Sequence, residues 1–182
     1  MECYIVFEGG INAENYKKLA ETIFAINKDT TISKINIFLS SYGGSTYYGF
    51  ALATIIQNSK IPISIHATNH IDSIANVVFL SPKAENRTSE SHAKFFVHGA
   101  SRNGDYDERA LNEALSAIKA ENHRIATFIS ENSRLPLDQA REKMKNGETM
   151  SATEALSFGY INQLDHKTVP LDTKRYDIIS TD

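Results

Sequence analysis

Cysteine is nearly absent from this 182-residue chain. Cys3 stands alone, which excludes a disulfide framework and any cysteine-built zinc cluster. An excess of one charge is missing too: 19 Lys and Arg against 22 Asp and Glu leave a formal net charge of -3. The basic residues are scattered, which argues against a dedicated nucleic-acid or anionic-membrane binder. No apolar run approaches the ~20 residues that a bilayer-spanning helix needs. The opening MECYIVFEGG has no basic stretch ahead of an apolar core, as a secretory signal would, so a cytoplasmic setting is expected. There is no internal repeat and no linker rich in proline, glycine or serine. What is present, 41% hydrophobic and 23% charged residues, is the make-up of an ordinary folded protein. The length suits one domain spanning residues 1–182.

Strand and helix patterns alternate through the first two-thirds. Cys3–Phe7 reads as a strand closed by Gly9-Gly10. Asn12 then caps a helix whose apolar face is Tyr16, Leu19, Ala20, Ile23 and Phe24. Ile35–Leu39 is a second strand, followed by Gly43-Gly44 and a helix starting near Ser45. Ile61–Ala67 is a third strand, Ser73–Leu80 an apolar helical stretch stopped by Pro82, and Ala93–Val97 another strand. This alternation predicts an α/β fold of βαβ crossovers on a parallel sheet.

The pattern then changes. From Tyr106 to about Glu131 no breaker occurs, and Leu111, Leu115, Ile118, Ile125 and Ile129 keep helical spacing. Such a helix runs ~39 Å at 1.5 Å per residue, too long to stay buried in so small a domain, so it is expected to project and pack on another subunit. Pro136 opens a short helix that ends before Gly147. Ser151-Ala152-Thr153-Glu154 is a capping-box sequence that starts a last helix, ending at Gly159. Residues from about 166 to 182 read as a tail.

Three short segments invite a chemical reading. Ser41-Tyr42-Gly43-Gly44-Ser45 lies at the C-terminal end of a strand, the edge where ligands bind open α/β sheets; its glycines either expose backbone N–H groups to a substrate or make a plain turn. Asp72-Ser73-Ile74-Ala75 offers a serine at a helix start, which serves as a cap or as a nucleophile beside N–H groups that favour an oxyanion. Phe95-Phe96-Val97-His98-Gly99 ends a strand in a histidine. Two other features carry less. His66 and His70 are four apart but sit on a strand with no third ligand evident, so no metal is expected. Tyr42, Tyr47 and Tyr48 have no basic surface beside them and read as pocket wall and core. No cofactor is expected.

Taken in order, these segments resemble one family. INIFLSSYGGSTYYGFALATII resembles the strand–Gly-Gly–helix unit of the Clp protease proteolytic subunit, ClpP, with Gly49 as its further helix glycine. IDSIANVVFL resembles the family's nucleophile segment, KFFVHGAS its histidine strand, and Thr149–Ile161 a recurrent C-terminal run. From Gly44 to Ser73 is 29 positions (73 − 44) and from Ser73 to His98 is 25 (98 − 73), both in agreement with the family without a gap. The resemblance covers roughly Tyr4 to Asp165, with the 106–131 helix at the place of the family's projecting handle.

The resemblance implies a ClpP/crotonase-like fold of repeated ββα units and a serine endopeptidase. Ser73 would be the nucleophile, His98 the general base, and the N–H groups of Gly44 and Ile74 the oxyanion hole. The family's acid falls on Gly147, which has no side chain to orient an imidazole; the neighbouring Glu148 is the candidate acid, and Asn146 a neutral alternative. Tyr42 stands where the family usually has proline, Asp72 replaces a small apolar residue, and Ala75 a glycine. The expected substrate is a peptide or unfolded protein, cut inside a self-assembled ring of seven subunits or a pair of such rings with fourteen subunits in all. The chain starts at its first strand, without the stretch that engages an AAA+ unfoldase in the family, so dependence on such a partner is not expected. Two other readings remain at this point: a non-catalytic subunit of the same fold with a decayed triad, and a crotonase-type acyl-CoA enzyme.

Overall fold

The computed structural model describes residues 1–180. A mixed eight-stranded sheet forms its centre. Strand β1 (Glu2–Glu8) leads through helix α1 (Ala13–Ile26) to β2 (Lys34–Ser41), then α2 (Thr46–Gln57) to β3 (Ile63–Asp72). Next come α3 (Ala75–Phe79), β4 (Arg87–Ser89), β5 (Lys94–Val97), α4 (Glu108–Glu131), α5 (Leu137–Asn146), β6 (Glu148–Ser151), α6 (Ala152–Ser157), β7 (Gln163–Leu164) and β8 (Lys174–Ile179). The main strand order is β6-β5-β3-β2-β1-β8, and β4 pairs with β3 and β7 off this path. All pairings are parallel except β5 with β6.

The expected alternation of strand and helix produces the parallel pairings of β1, β2 and β3, with Cys3, Ile5 and Phe7 of β1 buried and the residues between them partly open. Ile5, Ile35, Ile37, Leu39, Ile65 and Ile71 are buried at the sheet's centre. Asn12 caps α1 as expected, accepting from the Asn15 N–H at 2.9 Å, and Leu19, Ala20 and Ile23 are buried. Phe24, assigned to the same face, is 53% exposed, while Asn15 is buried in the stripe. The Asn15 side chain earns that place by donating to Gly10 O and Ser180 Oγ.

Strand β3 runs five residues past its expected end at Ala67. Its register against β2 breaks between Leu39 and Ser41, and a local irregularity of this kind bends a strand and re-aims its end. The first half of β3 pairs with β4, and its last three residues, His70–Asp72, pair with Lys94–Phe96 of β5. That second pairing brings the two candidate catalytic segments to one sheet edge.

The 166–182 segment is more than a tail. It carries β8, which adds to β1 in parallel from Cys3↔Lys174 to Glu8↔Ile179; residues 181 and 182 lie outside the described part.

Helix α4 is 24 residues long and divides in two. Ile125 and Ile129 are buried against the domain, whereas Leu111 and Leu115 are 57% and 48% exposed. The five apolar residues therefore do not form one exposed stripe: the C-terminal half is core and only the N-terminal half projects. Buried Arg87 fixes that inner end, donating to Asn132 O at 2.7 Å and Gly159 O at 3.2 Å. Burial pulls its guanidinium down to about 10.

Candidate active site

Ser73 occupies the turn between β3 and α3 with φ of 56°, the one non-glycine residue at positive φ among the described residues. A left-handed backbone costs a residue with a Cβ roughly 1–2 kcal/mol, so the neighbours must hold it there. The Ser73 N–H donates to Phe96 O at 2.8 Å. Asn76, fully buried, turns its side-chain amide back under the bend and donates to Ile71 O, Ser73 O and Phe96 O at 2.9–3.0 Å. Its Oδ1 is buried without a partner. Asn76 escaped the sequence reading, although a lone amide inside the apolar run ANVVFL was the available signal.

The Gly43-Gly44 turn lies directly against this bend. Gly43 has φ +85°, and a Cβ there would stand 2.6 Å from Ser73 Cβ and 2.7 Å from Asp72 O; only glycine fits. Gly44, at φ +141°, packs on Ile11. Among the described residues the backbone N–H groups of Gly44 and Ile74 donate to no backbone acceptor, while the flanking Ile11 and Ser45 N–H groups are paired. Two uncommitted amides thus sit on two turns in contact around Ser73, and Gly44 is solvent-exposed.

His98 follows β5, two residues beyond Phe96, which pairs with Asp72. Its ring stacks on Phe96 with centroids 5.0 Å apart. Its Nδ1 bonds the Gly99 carbonyl at 2.7 Å, and no hydrogen bond joins it to Ser73 among the described residues. Glu148 is elsewhere engaged: Lys143 Nζ donates to it at 2.8 Å and Asn146 at 3.1 Å. The Lys143 ammonium, then the Asn146 amide, hold its carboxyl below the usual range. The β5–β6 register explains the separation. Val97 pairs with Glu148, and directly opposed residues share a sheet face, so the next pair would set Gly147 opposite His98. Gly147 itself is the left-handed cap of α5, at φ 66°.

A different carboxylate lies nearer. Asp72 pairs with His70 Nδ1 at 3.5 Å, and its Oδ1 is buried with no partner. Burial pushes its carboxyl up, against the pull of His70, the Phe96 backbone and His98. Tyr42 covers His70, with ring centroids 5.5 Å apart. Tyr47 is 74% exposed, whereas Tyr48 stacks on Tyr16. His66 is buried between Thr88 and Glu90, and no group of three or more metal-ligating side chains occurs among the described residues. No described helix is long and apolar enough to cross a membrane.

A parallel sheet presenting a strained serine at a strand–helix turn, beside a Gly-Gly turn and a strand-end histidine, defines a class of α/β proteins built around one such edge. The chain belongs to the Clp protease family, whose pattern it matches over residues 1–168. It is similar to an ATP-dependent Clp protease proteolytic subunit of Porphyromonas gingivalis, 26% identical over 133 residues, 73% of this chain and 60% of that protein. It is also similar to one of Pleurastrum terricola, 20% identical over 162 residues, covering 88% of this chain and 82% of the other. Two solved structures share the fold. A point mutant of ClpP1 from Listeria monocytogenes superposes with TM-score 0.81 at 19% identity, over 90% of this chain and 91% of that one. Unmutated ClpP1 from the same organism gives 0.78 at 20%, over 91% and 92%.

Proposed function

We propose that this protein is a serine endopeptidase that cleaves peptide bonds through Ser73 and His98, with the amides of Gly44 and Ile74 as its oxyanion hole. The observation that carries the reading is the Ser73 turn. A serine is held at a costly backbone angle by three carbonyls tied to one buried amide, against a glycine that admits no side chain. A cap needs none of this. Attack by Ser73 Oγ on a carbonyl carbon requires His98 Nε2 to accept the hydroxyl proton and return it to the leaving amine. Each oxyanion donor is worth roughly 3–4 kcal/mol in the transition state.

The acid role assigned to Glu148 requires it to leave Lys143 and Asn146, and His98 to leave the Gly99 carbonyl. Glu148→Gln tests this role: a fall in hydrolysis makes Glu148 the orienting acid, and an unchanged rate leaves a Ser–His dyad or another acid. A second reading, a non-catalytic subunit, draws support from the missing Ser73–His98 hydrogen bond. The exposed Leu111 and Leu115 support assembly into rings through α4, with the sites inside a chamber.

The test is hydrolysis of unfolded casein by the wild-type chain and by Ser73→Ala. The peptidase reading expects cleavage that Ser73→Ala abolishes with the fold intact. Equal rates would end it.

A further inference from the structure

A cavity of about 620 Å³ opens beside the candidate site between α4 and α5. Its walls include Gly99, Lys119, Asn122, His123, Arg141 and Lys145, and no lining residue is acidic. In a chain of net charge -3 this is not a spill-over of general basicity. Lys119 and Lys145 have no carboxylate partner among the described residues. Arg141 meets Asp138 at 3.3 Å, but Asp138 is 94% exposed in its side chain and water screens such a pair. Glu121 of α4 pairs with Arg124, and Glu148 of β6 pairs with Lys143.

The cavity is built against the catalytic segment. Gly99 follows His98 directly, and consecutive α-carbons lie ~3.8 Å apart. Asn122 of α4 fixes the loop after it by accepting from the Ala100 N–H at 2.7 Å. Arg141 also donates to His123 Nδ1 at 3.0 Å, which leaves Nε2 as that ring's donor. Two lysines, a guanidinium and an imidazole thus face one space within a residue of the proposed general base. Multiple donors of this kind suit a carboxylate.

We propose that this cavity binds the carboxylate of an aspartate or glutamate side chain beside the scissile bond, and so selects acidic peptides. The inference rests on the peptidase reading of Ser73 and His98. It predicts selection through charge, weakening with salt, and not through apolar fit.

The test uses the full chain carrying Ser73→Ala and fluorescein-labelled, end-blocked peptides that differ only in a central Glu, Gln or Lys. Anisotropy should show the Glu peptide binding at least roughly tenfold more tightly than the Gln peptide, with the gap closing at high salt. Lys119→Glu with Lys145→Glu, both at exposed positions, should reverse the order toward the Lys peptide. Equal affinities for Glu and Gln, or a preference that survives the double charge reversal, would overturn the proposal. Peptide cleavage by the wild-type chain is measured separately. Selective binding with no cleavage would sink the peptidase reading and leave the carboxylate site standing; cleavage without selectivity would do the reverse.

Discussion

Replacing Gly43 by alanine tests the contact on which the candidate site depends. The new Cβ would lie 2.6 Å from Ser73 Cβ and 2.7 Å from Asp72 O, on a residue with φ +85°. The left-handed angle costs a residue with a Cβ roughly 1–2 kcal/mol, and overpacking against a rigid turn adds typically ~1–3 kcal/mol. A loss of roughly 2–5 kcal/mol follows from the two together. If the chain relieves part of it by moving the Ser73 turn, chemistry suffers instead, since a misplacement of about 1 Å can cost ~100-fold in rate. Gly10→Ala is the matched control: its Cβ would meet nothing closer than Gly43 O at 3.7 Å. Urea unfolding followed by circular dichroism reads the first effect, and the rate of covalent labelling by a fluorophosphonate reads the second. A Gly43→Ala chain as stable as Gly10→Ala and labelled at the wild-type rate would refute the claim that Gly43 and Ser73 are built as one unit.

Asn76→Ala should destabilise by ~1–3 kcal/mol, because the Ile71, Ser73 and Phe96 carbonyls lose its side-chain amide and the latter two keep only a backbone N–H, and should slow Ser73 labelling more than it lowers the unfolding midpoint; an unchanged labelling rate would make Asn76 purely structural. Ile129→Ala should cost ~2–5 kcal/mol of stability, while Leu111→Ser with Leu115→Ser should leave the unfolding midpoint alone and lower the oligomer mass seen by sedimentation. Retention of the full mass would move the assembly contact off the projecting half of α4. Burial depresses the His66 imidazole below its ordinary 6.5, outweighing the Glu90 carboxylate. The unfolded chain therefore takes up the proton first, so stability present above about 6.5 should fall as the pH drops through that value toward the lower folded one. His66→Gln should flatten this slope, and a slope identical to wild type would assign the acid loss to other groups.

What the sequence disclosed follows from range of interaction. Helices α1, α4, α5 and α6 were legible because capping and apolar spacing act within one turn or two; the Ser151/Glu154 capping box forms as expected. Strands β4, β6, β7 and β8 were not read, being two to six residues long and stabilised by partners far along the chain. Arg87-Thr88-Ser89 is polar yet fully buried, since its neighbours are β3 and β7. The α4 stripe was visible, but which half the domain would cover depends on tertiary packing. Ser73 and His98 gave weak signals singly and gained weight from their collinear order with Gly43-Gly44. The support beneath Ser73 was hidden, since Asn76 reaches a carbonyl 20 positions away at Phe96. Glu148 was read from nearness in sequence to Gly147, and strand register decides which face it takes.

The most direct test of the central claim is intact-mass and peptide mapping after exposure of the wild-type chain to a fluorophosphonate probe. The account predicts one adduct per chain, on Ser73, lost in Ser73→Ala and sharply slowed in His98→Ala. A folded, assembled protein that acquires no adduct at Ser73, or acquires it as fast without His98, would contradict it.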